Sequence, residues 1–204
     1  LVFHVVTAAF LLVSVGAQGP VLSELMARNA NTFADTDGEY KDWFEVWNKS
    51  SSSINLGGYY VTDDPADLTK WRIPSTTIAA GAYLVIFASR KNRAVSGREL
   101  HTNFTLSAEG EYLALVPAGG GAPRSEFSRA YPEHLEDISF GLSGTGSLGY
   151  LSEPTPGAPN TDEFHPARDV DFDLERGFFE APILVTLTCE EAEPEIRYTV
   201  DGSE

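Results

Sequence analysis

The stretch Asp42-Trp43-Phe44-Glu45-Val46-Trp47-Asn48 decides the reading, with Leu56-Gly57-Gly58-Tyr59-Tyr60-Val61-Thr62-Asp63-Asp64 and Lys70-Trp71-Arg72-Ile73-Pro74 behind it. It contains all three tryptophans of the chain. Phe44 and Val46 alternate with Trp43, Glu45 and Trp47. A two-residue period puts the first pair on one face of a strand and the other three on the opposite face. Phe44 and Val46 read as core. The Trp-Glu-Trp face reads as a half-buried surface covered by another part of the chain. Gly57-Gly58 turns the chain, and Tyr59 to Thr62 resumes as a strand rich in β-formers. Asp63-Asp64-Pro65 stops it, because proline cannot donate to a sheet ladder.

Working outward, the same grammar repeats. Val21 to Ala27 reads as a first strand and Tyr83 to Ala88 as a strand buried on both faces. Glu111 to Val116, Arg124 to Phe127, Ile138 to Phe140 and Tyr150 to Ser152 are further short strands. Many short strands with turn signals and no helical period predict an all-β sandwich. Gly144-Thr145-Gly146-Ser147-Leu148-Gly149 matches a dinucleotide-binding string, but no helix pattern follows it. A glycine-rich hairpin loop is the expectation.

These segments, in this order, resemble the bacterial branch of the lamin tail domain family. Gly81-Ala82-Tyr83-Leu84-Val85-Ile86-Phe87-Ala88, His101-Thr102-Asn103-Phe104, Gly110-Glu111-Tyr112-Leu113-Ala114-Leu115 and the closing Pro154-Thr155-Pro156-Gly157-Ala158-Pro159-Asn160 carry the resemblance along with the opening stretch. It covers residues 20–160 and implies an immunoglobulin-like β-sandwich that is not itself an enzyme.

The prolines at 154, 156, 159 and 166 read as a stiff interdomain connection, with 161–168 as the linker. Beyond it, Gly177-Phe178-Phe179, the Ile183 to Thr188 run and Ile196 to Ser203 resemble the start of a chitobiase/β-hexosaminidase C-terminal-type module over 169–204. The expected whole is an immunoglobulin-like β-sandwich followed by a truncated second β-sandwich module. Val2 to Val15 is nearly uninterrupted apolar sequence, and Val15-Gly16-Ala17 suits signal peptidase, leaving Gln18. Residues 1–17 read as a signal peptide without its basic leader, and the chain as secreted, extracellular or in the cell envelope. No membrane span is expected after cleavage.

Acidic residues outnumber basic ones 30 to 14, for a formal charge of −16. Phosphate backbones repel such a surface, so direct nucleic-acid binding is not expected. The one basic cluster, Arg90, Lys91, Arg93 and Arg98, has no aromatic residue for stacking on bases and reads as a solvated loop with ion pairing. Asp35-Thr36-Asp37-Gly38-Glu39 fails the EF-hand pattern. Asp35, Asp37, Glu39 and Asp42, with Asp63 or Asp64, form a looser candidate calcium site, against the alternative of a solvated acidic turn. No other cofactor is expected. Trp43, Trp47 and Trp71, with Tyr59 and Tyr60, are a candidate ligand platform, against the alternative of ordinary core.

No H-E-x-x-H or G-x-S-x-G string occurs, and Cys189 reads as a small buried hydrophobe. The expected function is therefore a secreted, non-catalytic interaction or spacer module at the N-terminus of a larger multidomain extracellular bacterial protein. Two alternatives stand beside it: a carbohydrate or cell-envelope binding module, and an accessory domain of a downstream secreted enzyme such as a spore-coat kinase-like protein, hydrolase or nuclease. Partners are proteins or envelope glycans.

Overall fold

The computed structural model describes residues 19–127, 131–164, 171–174 and 183–188. Two units divide the chain, Leu1–Glu163 and Phe164–Glu204. No helix occurs among the described residues. The strands of the first unit are β1 (Pro20–Met26), β2 (Trp43–Asn48), β3 (Ile54–Asn55), β4 (Tyr60–Thr62), β5 (Trp71–Arg72), β6 (Thr77–Ile78), β7 (Tyr83–Phe87), β8 (Leu100–His101), β9 (Leu113–Val116), β10 (Ser125–Phe127), β11 (Phe140–Leu142), β12 (Leu148–Leu151) and β13 (Glu163–Phe164). One sheet has the order β13-β12-β11-β1-β2-β7-β8, a second β10-β9-β4-β5, and β3 pairs with β6. β1 pairs antiparallel with β2 and β11, β11 with β12, β2 with β7, β3 with β6, β4 with β5 and β9, and β9 with β10, whereas β7 and β8 run parallel. The Gly144–Gly149 string spans the loop of the β11–β12 hairpin and the first two residues of β12, and Ser143 N–H on Ser147 O at 2.8 Å closes the loop.

The two larger sheets enclose one apolar core. Phe44 and Val46 enter it from β2, Leu22 and Leu25 from β1, Ile86 from β7, Val61 from β4 and Leu113 and Leu115 from β9. Each such side chain contributes about 2–3 kcal/mol of burial. The alternation in β2 is as the sequence indicates, and the opposite face of this strand is also buried: Trp43 and Glu45 are both inaccessible to solvent. A smaller cluster of Met26, Trp43 and Phe87 lies there, closed by Phe33 and Val85.

A β-bulge in β1 adjusts the faces. Leu22 pairs with Val46 and Glu24 with Glu45, so Ser23 is the extra residue. In an unbroken strand Leu22 and Leu25 would point to opposite faces. The bulge lets both enter the core and turns Glu24 outward beside Glu45. It also pushes the Ser23 carbonyl toward β11, where Gly141 faces Glu24. A Cβ on Gly141 would stand 2.2 Å from that oxygen.

Two expectations change here. Tyr83, Leu84 and Val85 are half-buried, so β7 is not enclosed on both faces along its length. Phe33 packs with Val85 and Phe87 on the outer side, and Tyr83 at the start of the strand stacks on half-buried Trp47. Second, Pro154–Asn160, whose prolines read as the start of a stiff connection and which the resemblance makes the close of the domain, hydrogen-bonds to β1 and β2. In the second unit, β14 (Asp171–Phe172) pairs antiparallel with β15 (Leu187–Thr188), the end of the Ile183–Thr188 run. The residues of the expected signal peptide, Cys189 and the run Ile196 to Ser203 lie outside the described residues.

Gly141→Ala is expected to destabilise the first unit by about 3 kcal/mol, because the crowding atom is a bulged backbone carbonyl that cannot swing aside. Thermal unfolding checks this, and a midpoint equal to that of the wild type would show that the bulge yields.

Candidate functional site

The acidic loop between β1 and β2 is a tight hairpin. Gly38 N–H donates to Asp35 O at 2.9 Å, and the backbones of Ala34 and Tyr40 bridge below it. The Asp35 carboxylate, fully buried, accepts Asp37 N–H at 3.0 Å and Glu39 N–H at 2.9 Å. The chain after β7 supplies the countercharge. Arg90 and Asn92 both adopt left-handed backbone, with φ of 62° and 50°. Between and beyond them, Lys91 and Arg93 reach the acidic loop. The Lys91 ammonium contacts Asp35, and meets Asp37 and Glu39 each at 2.6 Å. Arg93 meets Asp37 at 2.5 Å.

The electrostatics follow. Burial opposes ionisation of Asp35, but the Lys91 ammonium and the two backbone donors hold its pKa below the ordinary value. Arg93 and then Lys91 hold Asp37 well below the carboxylate range. Lys91 is held up by its three carboxylates against its own desolvation. The stability these aspartates give is present above their ordinary pKa and is lost as the pH falls through the depressed values.

Of the four residues proposed for calcium, the structure brings Asp35, Asp37 and Glu39 together. Asp42 is not among them. Its carboxylate faces Asn29 N–H at 3.5 Å, and burial pushes it up to about 6. Asp63, from the neighbouring turn, pairs instead with Lys70 at 2.5 Å. The cation seated among the three carboxylates is the Lys91 ammonium, so a calcium ion would have to displace it. Half of the basic cluster is thus spent on ion pairs.

Beside this hub lies an arrangement that sequence reading missed. His101 is fully buried and stacks on Phe87 with ring centroids 5.3 Å apart. Its Nδ1 is 2.9 Å from Ser89 Oγ and its Nε2 2.9 Å from Glu99 Oε1. Glu99 also accepts Thr36 N–H at 3.0 Å and the Thr36 hydroxyl at 2.8 Å. Burial opposes ionisation of Glu99, and these donors outweigh it, leaving its pKa lowered. Hydroxyl, imidazole and carboxylate in series resemble a nucleophilic triad. Here, however, the ring is sealed, the hydroxyl accepts Lys91 N–H at 3.3 Å, and the carboxylate is tied to the acidic hairpin. The series braces β8 and the loop after β7 against that hairpin. The pairing of Ser89 and His101 across 12 residues, with Thr36 remote from both, left no local signal.

A shallow cleft of about 340 Å³ is lined among others by Asp63, Lys70, Arg90, Phe104, Thr105 and Glu111. The Lys70 ammonium stands 5.5 Å over the Phe104 ring. Glu111 accepts Ser107 N–H at 2.8 Å and the Tyr131 hydroxyl at 3.2 Å, and burial pushes its pKa up. The lining thus carries two cations and two carboxyl groups.

The tryptophans do not form a platform. Trp43 is sealed on the outer face of the large sheet, and Trp71 sits in the core from the other sheet, its Nε1 donating to Asn92 Oδ1 at 3.2 Å. Trp47 alone is half-buried, stacked on Tyr83 at 5.7 Å with Lys49 4.9 Å above its ring. Trp43 and Trp47 share the outer face of β2, but Phe33 packs over Trp43, and β5 with Trp71 belongs to the opposite sheet.

A sandwich of this order defines an immunoglobulin-like domain. The sequence matches the Lamin Tail Domain family over residues 16–128, more than half of the chain, and the chain belongs to that family. No curated protein matches it. Nothing found supports the chitobiase-type reading of 169–204.

Lys91→Met is expected to lower stability by about 3 kcal/mol, since Asp35 would keep a buried charge without its partner. Millimolar calcium is expected to leave the wild-type melting midpoint unchanged and to raise that of K91M. A calcium-dependent rise in the wild type would show that the ion displaces the lysine.

Proposed function

We propose that the chain is a secreted, non-catalytic interaction or spacer module of a larger multidomain extracellular bacterial protein. One observation carries the reading. The polar groups that could do chemistry are consumed in bracing the sandwich, whereas the mixed-charge cleft around Lys70 and Arg90 stays open to a protein partner. Paired charges of both signs suit a polar protein surface more than a polyanion. The apolar Val2–Val15 run and the small residues before Gln18 support export. The second unit, Phe164–Glu204, supports a multidomain context, with a further β-rich module of chitobiase type as its expected form. Among the described residues no helix is long and apolar enough to cross a membrane.

Export has a direct test. Residues 1–20, placed behind a Met-Lys-Lys start and fused to a leaderless alkaline phosphatase, are expected to give active enzyme outside the cytoplasm of a bacterial host. N-terminal sequencing of the product is expected to begin at Gln18. Activity no higher than that of the leaderless enzyme would sink the secretion reading.

The envelope-glycan reading retains only the Trp47–Tyr83 pair. In sedimentation with insoluble peptidoglycan or chitin, the full chain is expected to stay in the supernatant. Retention that disappears in the Trp47→Ala, Tyr83→Ala double variant would replace the protein partner by a glycan.

A further inference from the structure

The outer face of the large sheet holds two glutamates for which neither the fold family nor the cleft accounts. Glu24 and Glu45 are directly opposed on β1 and β2, and both are fully buried. Ion pairs among the described residues reach neither carboxylate. Two like charges facing each other across adjacent strands without a countercharge are destabilising, and removal from water makes this worse.

What covers them is the segment Pro154–Asn160. Thr155 N–H donates to Glu24 Oε1 at 3.0 Å and its hydroxyl to Oε2 at 3.0 Å. Gly157 N–H donates to Glu45 Oε2 at 2.6 Å, and the Ser23 hydroxyl to Oε1 at 2.7 Å. Asn160 Nδ2 closes the far end on Ser23 O at 3.0 Å and Leu142 O at 2.8 Å, satisfying the carbonyl that the bulge displaces. The segment is shaped for this. Ala158 N–H returns to Thr155 O at 3.0 Å, with Pro156 and Gly157 between them and Gly157 at φ 85°. Proline then glycine at the two central positions is the signature of a type II turn. The turn directs the Thr155 and Gly157 N–H groups onto the glutamates.

We propose that residues 154–160 form a proton-gated strap, closed over Glu24 and Glu45 while the pair holds a proton and released when both carboxylates are ionised. Opening gives both groups to water and lets the proton leave to solvent. The acidities agree in direction. Burial pushes Glu45 up to about 8, opposed by Ser23 and Gly157 and reinforced by Glu24. Burial likewise raises Glu24 against Ser139 and Thr155. Tyr83, from β7, is the third titratable group facing the pair, and burial and then the two glutamates raise it. β11 presents Gly141, and the strap brings no titratable side chain.

The sign is fixed by linkage. A carboxyl whose pKa is higher closed than open favours the closed form fully below the ordinary value, and that advantage is lost as the pH rises toward the closed value. The window for Glu45 therefore runs from its ordinary 4.5 up to about 8. Between about pH 5.5 and pH 8.5 the open fraction is expected to rise about a hundredfold if one proton is released.

Hydrogen-exchange protection factors of the full chain at those two pH values test this. Thr155 and Gly157 are expected to lose at least tenfold in protection at the higher pH, while Phe44 and Val46 in β2 keep theirs. Glu45→Gln cannot ionise and is expected to abolish the loss, with Glu24→Gln as a second variant should the first not fold. Gly157→Ala, which strains the turn, is expected to show low strap protection at both pH values. Equal wild-type protection at both, a loss that parallels β2, or a full loss persisting in both glutamine variants would overturn the proposal.

Discussion

The structure depends on a strand buried on both faces inside an antiparallel sheet. β2 sends Phe44 and Val46 into the core and Trp43 and Glu45 to the other side, and solvent reaches none of the four. Antiparallel sheets commonly leave one face to water. Here the outer face must be covered, and two different devices cover it. Over Trp43 the cover is apolar: Phe33 from the acidic loop lies edge-on to Trp43 and stacks on Phe87 at 5.5 Å. Over Glu45 it is polar, a turn whose backbone N–H groups point at carboxylates. The acidic hairpin and the strap both follow from this one requirement, although more than a hundred residues separate them.

The acidic residues of this chain divide into two thermodynamic kinds. Asp35 and Asp37 have cations beside them and depressed acidity, so they stabilise the fold once ionised. Asp42, Glu24 and Glu45 are raised by burial, which outweighs the Lys41 charge near Asp42 and the hydrogen bonds to all three, so ionising them works against the fold. Buried His134, lowered by desolvation in an aromatic setting of Tyr131, Phe140 and Tyr150, adds a term opposite in sign to these three. A net charge of −16 therefore says little about where stability is lost with pH. The local company of each carboxyl decides it.

How much of this was legible in the sequence follows from the range of each interaction. The alternation of Trp43 to Trp47 is set within one strand, so it gave the faces of β2 and the need for an outer cover. Ordered strand motifs gave the sandwich. The bulge at Ser23 was not legible, because Val21-Leu22-Ser23-Glu24-Leu25 is compatible with an unbroken strand until Val46 and Glu45 fix the register. The contacts of the strap were not legible, because proline-rich composition looks the same whether its N–H groups face water or a glutamate 131 residues away. The acidic triplet was legible, its occupant was not: Lys91 lies 56 residues from Asp35, and two left-handed residues aim it there.

Strongly perturbed acids often mark catalytic sites, because chemistry near neutral pH needs them. That inference requires room for a substrate at the perturbed group. Thr155 and Gly157 occupy the positions from which a substrate would approach Glu24 and Glu45, and the hydroxyls of Ser23 and Thr155 are already bonded to those carboxylates. His101, Ser89 and Glu99 fail the same requirement, since the imidazole is enclosed by Phe87 on one side and by strand backbone around it. In both places polar groups are arranged as in an active site and then closed by the chain itself. The same physical chemistry that would tune a catalyst here holds loops onto a sheet, in keeping with a family whose fold carries partners and not reactions.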